Sequence, residues 1–259
     1  MRQIVLAIRA ERMKLRRSKI LLVTFGLFVF IPLLIGLMMY VAQHPEMSAK
    51  LGLVGAKAQF FSENSWKGYL EIINQLIAVL GVIGFGFITS WVFGREYIEH
   101  TLTDILALPV SRSSIVLAKY LVVLFWCLGL AITLFLVASI MGLLMHIPGW
   151  NLSVFLNFAS NYFLTTIFTI LLSTVVGFIV SFSKSIVAPL GFVLLMVIMA
   201  QFTALLGWGS YFPWSIPGVF TVSNSVEGMQ LFPVSYLILF LTFLLGLFST
   251  YAYWKYADH

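Results

Sequence analysis

The chain has 259 residues, 61% of them apolar and 9% charged, with 15 Lys and Arg against 9 Asp and Glu and a formal charge of +6. A soluble domain carries about 25% charged residues, so this composition excludes a soluble enzyme, and its hydrophobicity excludes a disordered chain. A mean hydropathy of +1.04 points to a polytopic membrane protein. At about 20 residues per helical span, the length suits roughly five to seven spans in a single transmembrane domain covering residues 1–259.

Residues 1–19 come first. Ile4, Val5, Ile8 and Leu15 form an apolar face flanked by seven cations, Arg2, Arg9, Arg12, Lys14, Arg16, Arg17 and Lys19. That pattern predicts an amphipathic helix lying on the inner leaflet; a charged topological anchor is the plainer reading. Six apolar runs follow at about 20–42, 72–93, 115–145, 158–182, 186–206 and 234–254. Each is long enough to cross about 30 Å of hydrocarbon as a helix. The first is too long for a signal-peptide core and is read as a retained span. The expected fold class is an all-α polytopic membrane protein with six spans.

Gly81, Gly84 and Gly86 in the second run predict close packing or a local bend. The segment from Gly94 to Lys119 is richer. Ile98, Leu102 and Ile105 share a helical face, and Arg95 with Glu99 and His100 with Asp104 are i,i+4 neighbours. Pro109 disfavours helix at Leu108, after which Ser111, Ser113 or Ser114 can cap the third span. The expected product is a short cytoplasmic helix carrying Glu96, Glu99 and Asp104, with the look of a docking surface or of a plain loop. The third run is longer than one crossing needs, so its first turns are expected to stand clear of the membrane. It contains the single cysteine, Cys127, which excludes an internal disulfide and a cysteine metal cluster and reads as a small buried hydrophobe. Ala138 and Gly142 form a small-residue pair in the same run. In the fourth run Asn157, Asn161, Thr165, Thr169, Ser173 and Gly177 recur every fourth residue. This slanting ridge suits helix packing or the lining of a pathway.

Charge orients the spans. Twelve basic residues fall on the side of the termini and three, Lys50, Lys57 and Lys67, on the other. Both termini are therefore expected in the cytoplasm. Topology explains the basic balance, so no nucleic-acid partner is implied. Trp66, Trp150, Trp208 and Trp214 mark the outer interface, and Trp91 and Trp254 the inner one.

The runs contain no Asp, Glu or Arg, and Lys119 is expected to snorkel at the cytoplasmic end of the third. Glu71 and His146 lie at outer lips. Proton-coupled carriers place such groups within the bilayer, so an energy source outside the chain is expected. No phosphate-binding loop is present: Ser183-Lys184-Ser185 has serine where the second glycine belongs. No His and Glu cluster has metal-ligand spacing, and no cofactor or catalytic residue is expected in this chain.

The run Arg95-Glu96, Thr101-Leu102, Ile105-Leu106, Pro109, Ser111-Arg112, Ile115 and Ala118-Lys119 resembles the signature of ABC-2 type permeases. Glu11, Lys14-Leu15 and Arg17-Ser18 are similar to the family's amphipathic start, and residues 212–217 (Phe-Pro-Trp-Ser-Ile-Pro) to the segment before its last span. The nearest group is the short bacterial permeases of peptide-antibiotic exporters, including bacitracin-type resistance and lantibiotic immunity systems. The resemblance implies a subunit of the bacterial cytoplasmic membrane that pairs with a second copy or paralogue. A separate cytoplasmic ATPase would bind ATP and Mg. A coupling helix carrying Arg95, Glu96, Ile98, Glu99, Leu102, Ile105, Pro109 and Arg112 would dock on that ATPase, and a re-entrant extracellular element would occupy residues 207–233. The loop at 43–71 is long for the family's compact members. The chief rival function is a non-transporting immunity or sensor module that sequesters a ligand or partner. A secondary carrier and an intramembrane enzyme rank below it, for want of buried ionisable groups and of a catalytic constellation.

Overall fold

The computed structural model of the chain describes residues 2–16, 18–42, 44, 65–101, 110–223 and 230–256. In order, the elements are α1 (Arg2–Arg16), α2 (Lys19–Ala42), α3 (Trp66–Ile98), α4 (Arg112–Leu144), α5 (Leu152–Ser183), α6 (Val187–Leu205), a 3-10 turn (Gly209–Tyr211), α7 (Ile216–Val222) and α8 (Pro233–Tyr256). Among the described residues there is no strand, and α2, α3, α4, α5, α6 and α8 are long and apolar enough to cross a membrane. The protein is an all-α, multi-pass membrane protein.

All six expected spans are present, but the long ones extend past the apolar runs. Hydropathy marks the part of a helix that lies in hydrocarbon, whereas caps decide where it stops. Ser65 Oγ accepts the Gly68 amide at 3.1 Å, so α3 begins at Trp66 and runs 33 residues to Ile98 instead of covering 72–93. At 1.5 Å per residue that is about 50 Å, well beyond the hydrocarbon. Ser111, of the three serines expected, is the cap of α4, its Oγ accepting the Ser114 amide at 3.3 Å. Asn151 caps α5 by accepting the Ser153 amide at 2.9 Å. At the other end of α5, Lys184 closes the helix in the left-handed region at φ 51°.

Helix α3 lies at the centre and packs against α4, α5, α6 and α7. Its three glycines explain how. Steps of three and two residues turn them about 300° and 200° around the axis, so they face different neighbours. A Cβ would stand 2.8 Å from Thr169 of α5 at Gly81, 3.0 Å from Phe28 of α2 at Gly84, and 2.8 Å from Val193 of α6 at Gly86. The cluster is three close helix contacts.

Polar bonds tie the bundle internally. Tyr162 Oη donates to the Ala131 carbonyl at 2.8 Å and Trp126 Nε1 to Thr24 Oγ1 at 3.2 Å. Tyr120 Oη donates to the Thr174 carbonyl at 3.0 Å. Outward, α2, α6 and α8 present wide apolar faces, among them Leu27, Phe30, Ile198, Phe202, Leu245 and Phe248. In water such faces would be a liability; in lipid they cost nothing.

The helices alternate in direction. At one end the Trp66 amide donates to the Pro148 carbonyl at 3.1 Å, and the Trp66 and Trp150 rings lie 4.8 Å apart. The opposite end carries both described termini and is the expected cytoplasmic one. There Arg112 Nη1 donates to the Trp254 carbonyl at 3.1 Å. Trp254, expected at the interface, is fully buried and donates to Ser181 Oγ at 2.9 Å.

Candidate functional site

The end with the termini holds most of the expected docking residues, and the structure rearranges them. The expectation of a separate helix starting at Arg95 is corrected at its beginning: Arg95, Glu96 and Ile98 form the last turn of α3, and Glu99 is its C-cap. No proline interrupts Val92-Phe93-Gly94, and the helix continues through it. Arg95 Nε meets Glu99 Oε2 at 3.4 Å, the expected i,i+4 pair. Ile98, Glu99 and His100 are exposed. Arg112, in the first turn of α4, is exposed and bonded to α8. Leu102, Ile105 and Pro109 lie outside the described residues.

Glu96 departs most from expectation. Expected among the residues of a cytoplasmic docking helix, it is fully buried, at 0% exposure. Its Oε1 accepts from Lys119 Nζ and from Lys14 Nζ, both at 2.7 Å. Lys119 does not snorkel either: it too is fully buried and also donates to the Val92 carbonyl at 2.7 Å. Glu11 closes the group, with Oε1 at 2.8 Å from Lys14 Nζ and 3.7 Å from Lys119 Nζ. Two carboxylates and two ammoniums from α1, α3 and α4 thus share one largely buried site. The sequence held one clue. Lys119 lies about 10 Å into α4 at 1.5 Å per residue, where an unpaired cation would be costly.

Charge balance sets the pH behaviour. Burial pushes the Glu11 carboxyl up, but Lys119 and Lys14 outweigh it and hold it below its ordinary 4.5. Burial pushes Lys14 down, but Glu96 and Glu11 outweigh it and hold it above its ordinary 10.5. The Glu11 contribution is present above pH 4.5 and lost as pH falls through the depressed value, and the Lys14 contribution is present below pH 10.5 and lost as pH rises through the raised one. A spin label on exposed Met13 should therefore report α1 held fast from about pH 5 to pH 10. It should loosen first on the acid side, below 4.5. Loosening near neutral pH would contradict the pairing.

The ridge on α5 divides along its length. Asn157 is exposed and Asn161 half-buried, while Thr165, Thr169 and Ser173 are buried. Thr165 Oγ1 lies 3.5 Å from Asn74 Oδ1 of α3, Thr169 fills the notch at Gly81, and Gly177 abuts the Tyr120 hydroxyl. Of the two readings left open, helix packing describes the buried half.

The sequence reading missed a cavity of about 310 Å³ between α3, α6 and α7. Val79, Val82, Val197 and Val219 give it apolar walls, and Gln75 and Gln201 open onto it. Both glutamines are exposed, and among the described residues neither carboxamide has a hydrogen-bond partner. Gln75 lies about 14 Å along α3 from Trp66 at 1.5 Å per residue, within the apolar part of the helix. The signal was a carboxamide inside an apolar run, which a search limited to ionisable groups passes over.

Residues 7–200 match the family described as ABC-2 family transporter protein. The chain belongs to the ABC-2 transporter family. The match runs from α1 into α6 and takes in the charged site and the α3 side of the cavity wall. Over 184 residues this ABC-2 permease is also 26% identical to the bacitracin transport permease protein BCRB of Bacillus licheniformis, spanning 71% of this chain and 88% of the relative. Family and fold together make it a multi-pass transporter permease subunit.

Proposed function

We propose that the chain is the permease of an exporter for an amphiphilic peptide or antibiotic, driven by ATP hydrolysis in a separate cytoplasmic subunit that binds ATP and Mg. The observation that carries this reading is the cavity with two free carboxamides set in apolar walls. An amide in an apolar wall needs water, a partner or a ligand, and two carboxamides opening onto one cavity match the donors and acceptors of a peptide backbone. The family supports transport, and the name of the bacitracin permease supports the substrate class. In this reading both termini are cytoplasmic, the exposed Ile98-Glu99-His100 end of α3 leads into the ATPase-docking segment, and two permease subunits enclose the pathway. The turn at 209–211 and helix α7, packed against α3 and α5, supply the re-entrant element.

The test is a mild-detergent purification of the tagged chain from its native cell, followed by mass identification of bound proteins. A stoichiometric ATPase is expected. Repeated recovery without one would favour the sequestering immunity module. In a sensitive host carrying the chain and its ATPase, Gln75→Leu combined with Gln201→Leu should lower bacitracin protection about tenfold, the scale of one or two lost hydrogen bonds. Protection at the wild-type level, with membrane abundance unchanged, would show that the glutamines face no substrate.

A further inference from the structure

The four-residue charge site does more than fill space. Its members come from three helices, and the only inward-facing charges on α1, Glu11 and Lys14, meet the only charges buried at the ends of α3 and α4, Glu96 and Lys119, among the described residues. The formal charges cancel within the group. The rest of the inward face of α1 is Ile4, Ala7, Ile8 and Leu15, all partly buried. Such apolar contacts are non-directional and permit sliding by a turn. An ion pair with hydrogen-bond geometry does not. A buried pair is weak evidence for stability, because desolvation offsets the attraction, and its best-attested use is to fix register. The opposite face of α1 carries Val5, Leu6, Arg9, Arg12 and Met13, all exposed, and is the one free to meet the leaflet.

We propose that Lys14, Glu11, Glu96 and Lys119 form a lock that makes α1 and the adjoining ends of α3 and α4 one rigid body, so that α1 moves with the docking segment when the transporter cycles. Lys119 and Glu96 are then positioning residues: they hold α1 in register and touch no substrate. The motion rests on the permease reading; the rigidity does not.

The test uses spin-label distances in the full chain reconstituted in lipid nanodiscs. One label replaces Met13 on α1 and one replaces Leu117 on α4, both exposed, with buried Cys127 left in place. A second pair, Leu117 with exposed Leu194 on α6, reports the transport cycle. The Met13–Leu117 distance should give one narrow peak that stays put when the copurified ATPase is trapped with ATP, while the Leu117–Leu194 distance shifts. Lys119→Met should abolish the narrow peak. Lys14→Gln, at the partly exposed corner, should do the same where Lys119→Met fails to fold, and Lys14→Arg should restore the peak. A Met13–Leu117 shift on ATP trapping overturns the shared motion, and a narrow peak surviving in Lys14→Gln overturns the lock. If the second pair never moves and no ATPase copurifies, the permease reading fails, and the variants without nucleotide still decide the lock.

Discussion

Lys119→Met is expected to cost the folded chain about 3–5 kcal/mol, the usual consequence of breaking a buried ion pair from one side. The methionine fits the space of the lysine stem, so the loss is electrostatic. Glu96 stays fully buried with Lys14 alone near its Oε1, the Val92 carbonyl loses its Nζ donor, and the site carries an uncompensated negative charge. Lys14→Met removes the same formal charge but should cost only about 1 kcal/mol, because its side chain is 24% exposed and water screens the change. The double variant Glu96→Gln with Lys119→Met should cost less than the sum of its parts, since the residues share one network. Unfolding midpoints in detergent measure all three. A loss of only about 1 kcal/mol for Lys119→Met as well would mean that water screens the whole site.

The same residues show what a sequence can and cannot disclose. Lys119 was visible as a lysine at the edge of an apolar run, and one helix taken alone offers it only a snorkelling path. Its partner Glu96 lies 23 positions away on another helix, and Glu11 comes from the amphipathic segment. No periodicity links them. The span centres were legible because hydrocarbon demands an unbroken apolar run of fixed length. The span ends were not, because they depend on hydrogen bonds such as Ser65 to Gly68, which hydropathy does not register. The α5 ridge was legible as small and hydroxyl residues, but its facing helix was not. Contacts such as Gly81 against Thr169 and Thr165 against Asn74 make its buried half a seam. For the candidate site, Ile98 and Glu99 are exposed at the end of α3 instead of on a separate helix, and Gln75 and Gln201 line one cavity only when α3 and α6 fold together.

Gly246→Ala should produce the largest loss among alanine substitutions at glycine. The added Cβ would lie 2.6 Å from the Val175 amide nitrogen and 2.8 Å from the Thr174 carbonyl carbon. Both are backbone atoms of α5, so no side chain can swing aside. Helix α8 must separate from α5, and the separation weakens two further links. Thr174 Oγ1 reaches the Phe243 carbonyl at 3.3 Å, and Tyr120 Oη lies 2.7 Å from Thr250 Oγ1. Overpacking of a tight core costs about 1–3 kcal/mol, and the rigid neighbours place this site at the upper end. Two other glycines calibrate the effect. At Gly36 the new Cβ meets the mobile Met141 Cε at 3.0 Å, which can move, so the cost should be small. At Gly26, inside α2, nothing lies within 4 Å, and the substitution should be neutral or stabilising by up to about 1 kcal/mol, the propensity gain of alanine over glycine in a helix. The expected order of unfolding midpoints is Gly26→Ala above Gly36→Ala above Gly246→Ala. A Gly246→Ala protein as stable as Gly26→Ala would mean that α5 and α8 do not touch backbone to backbone. The consequence extends beyond stability. Trp254, on the last turns of α8, bonds both Ser181 of α5 and Arg112 of α4. A displaced α8 therefore pulls on the start of α4, and under the proposed exporter reading ATPase coupling should fall along with the midpoint.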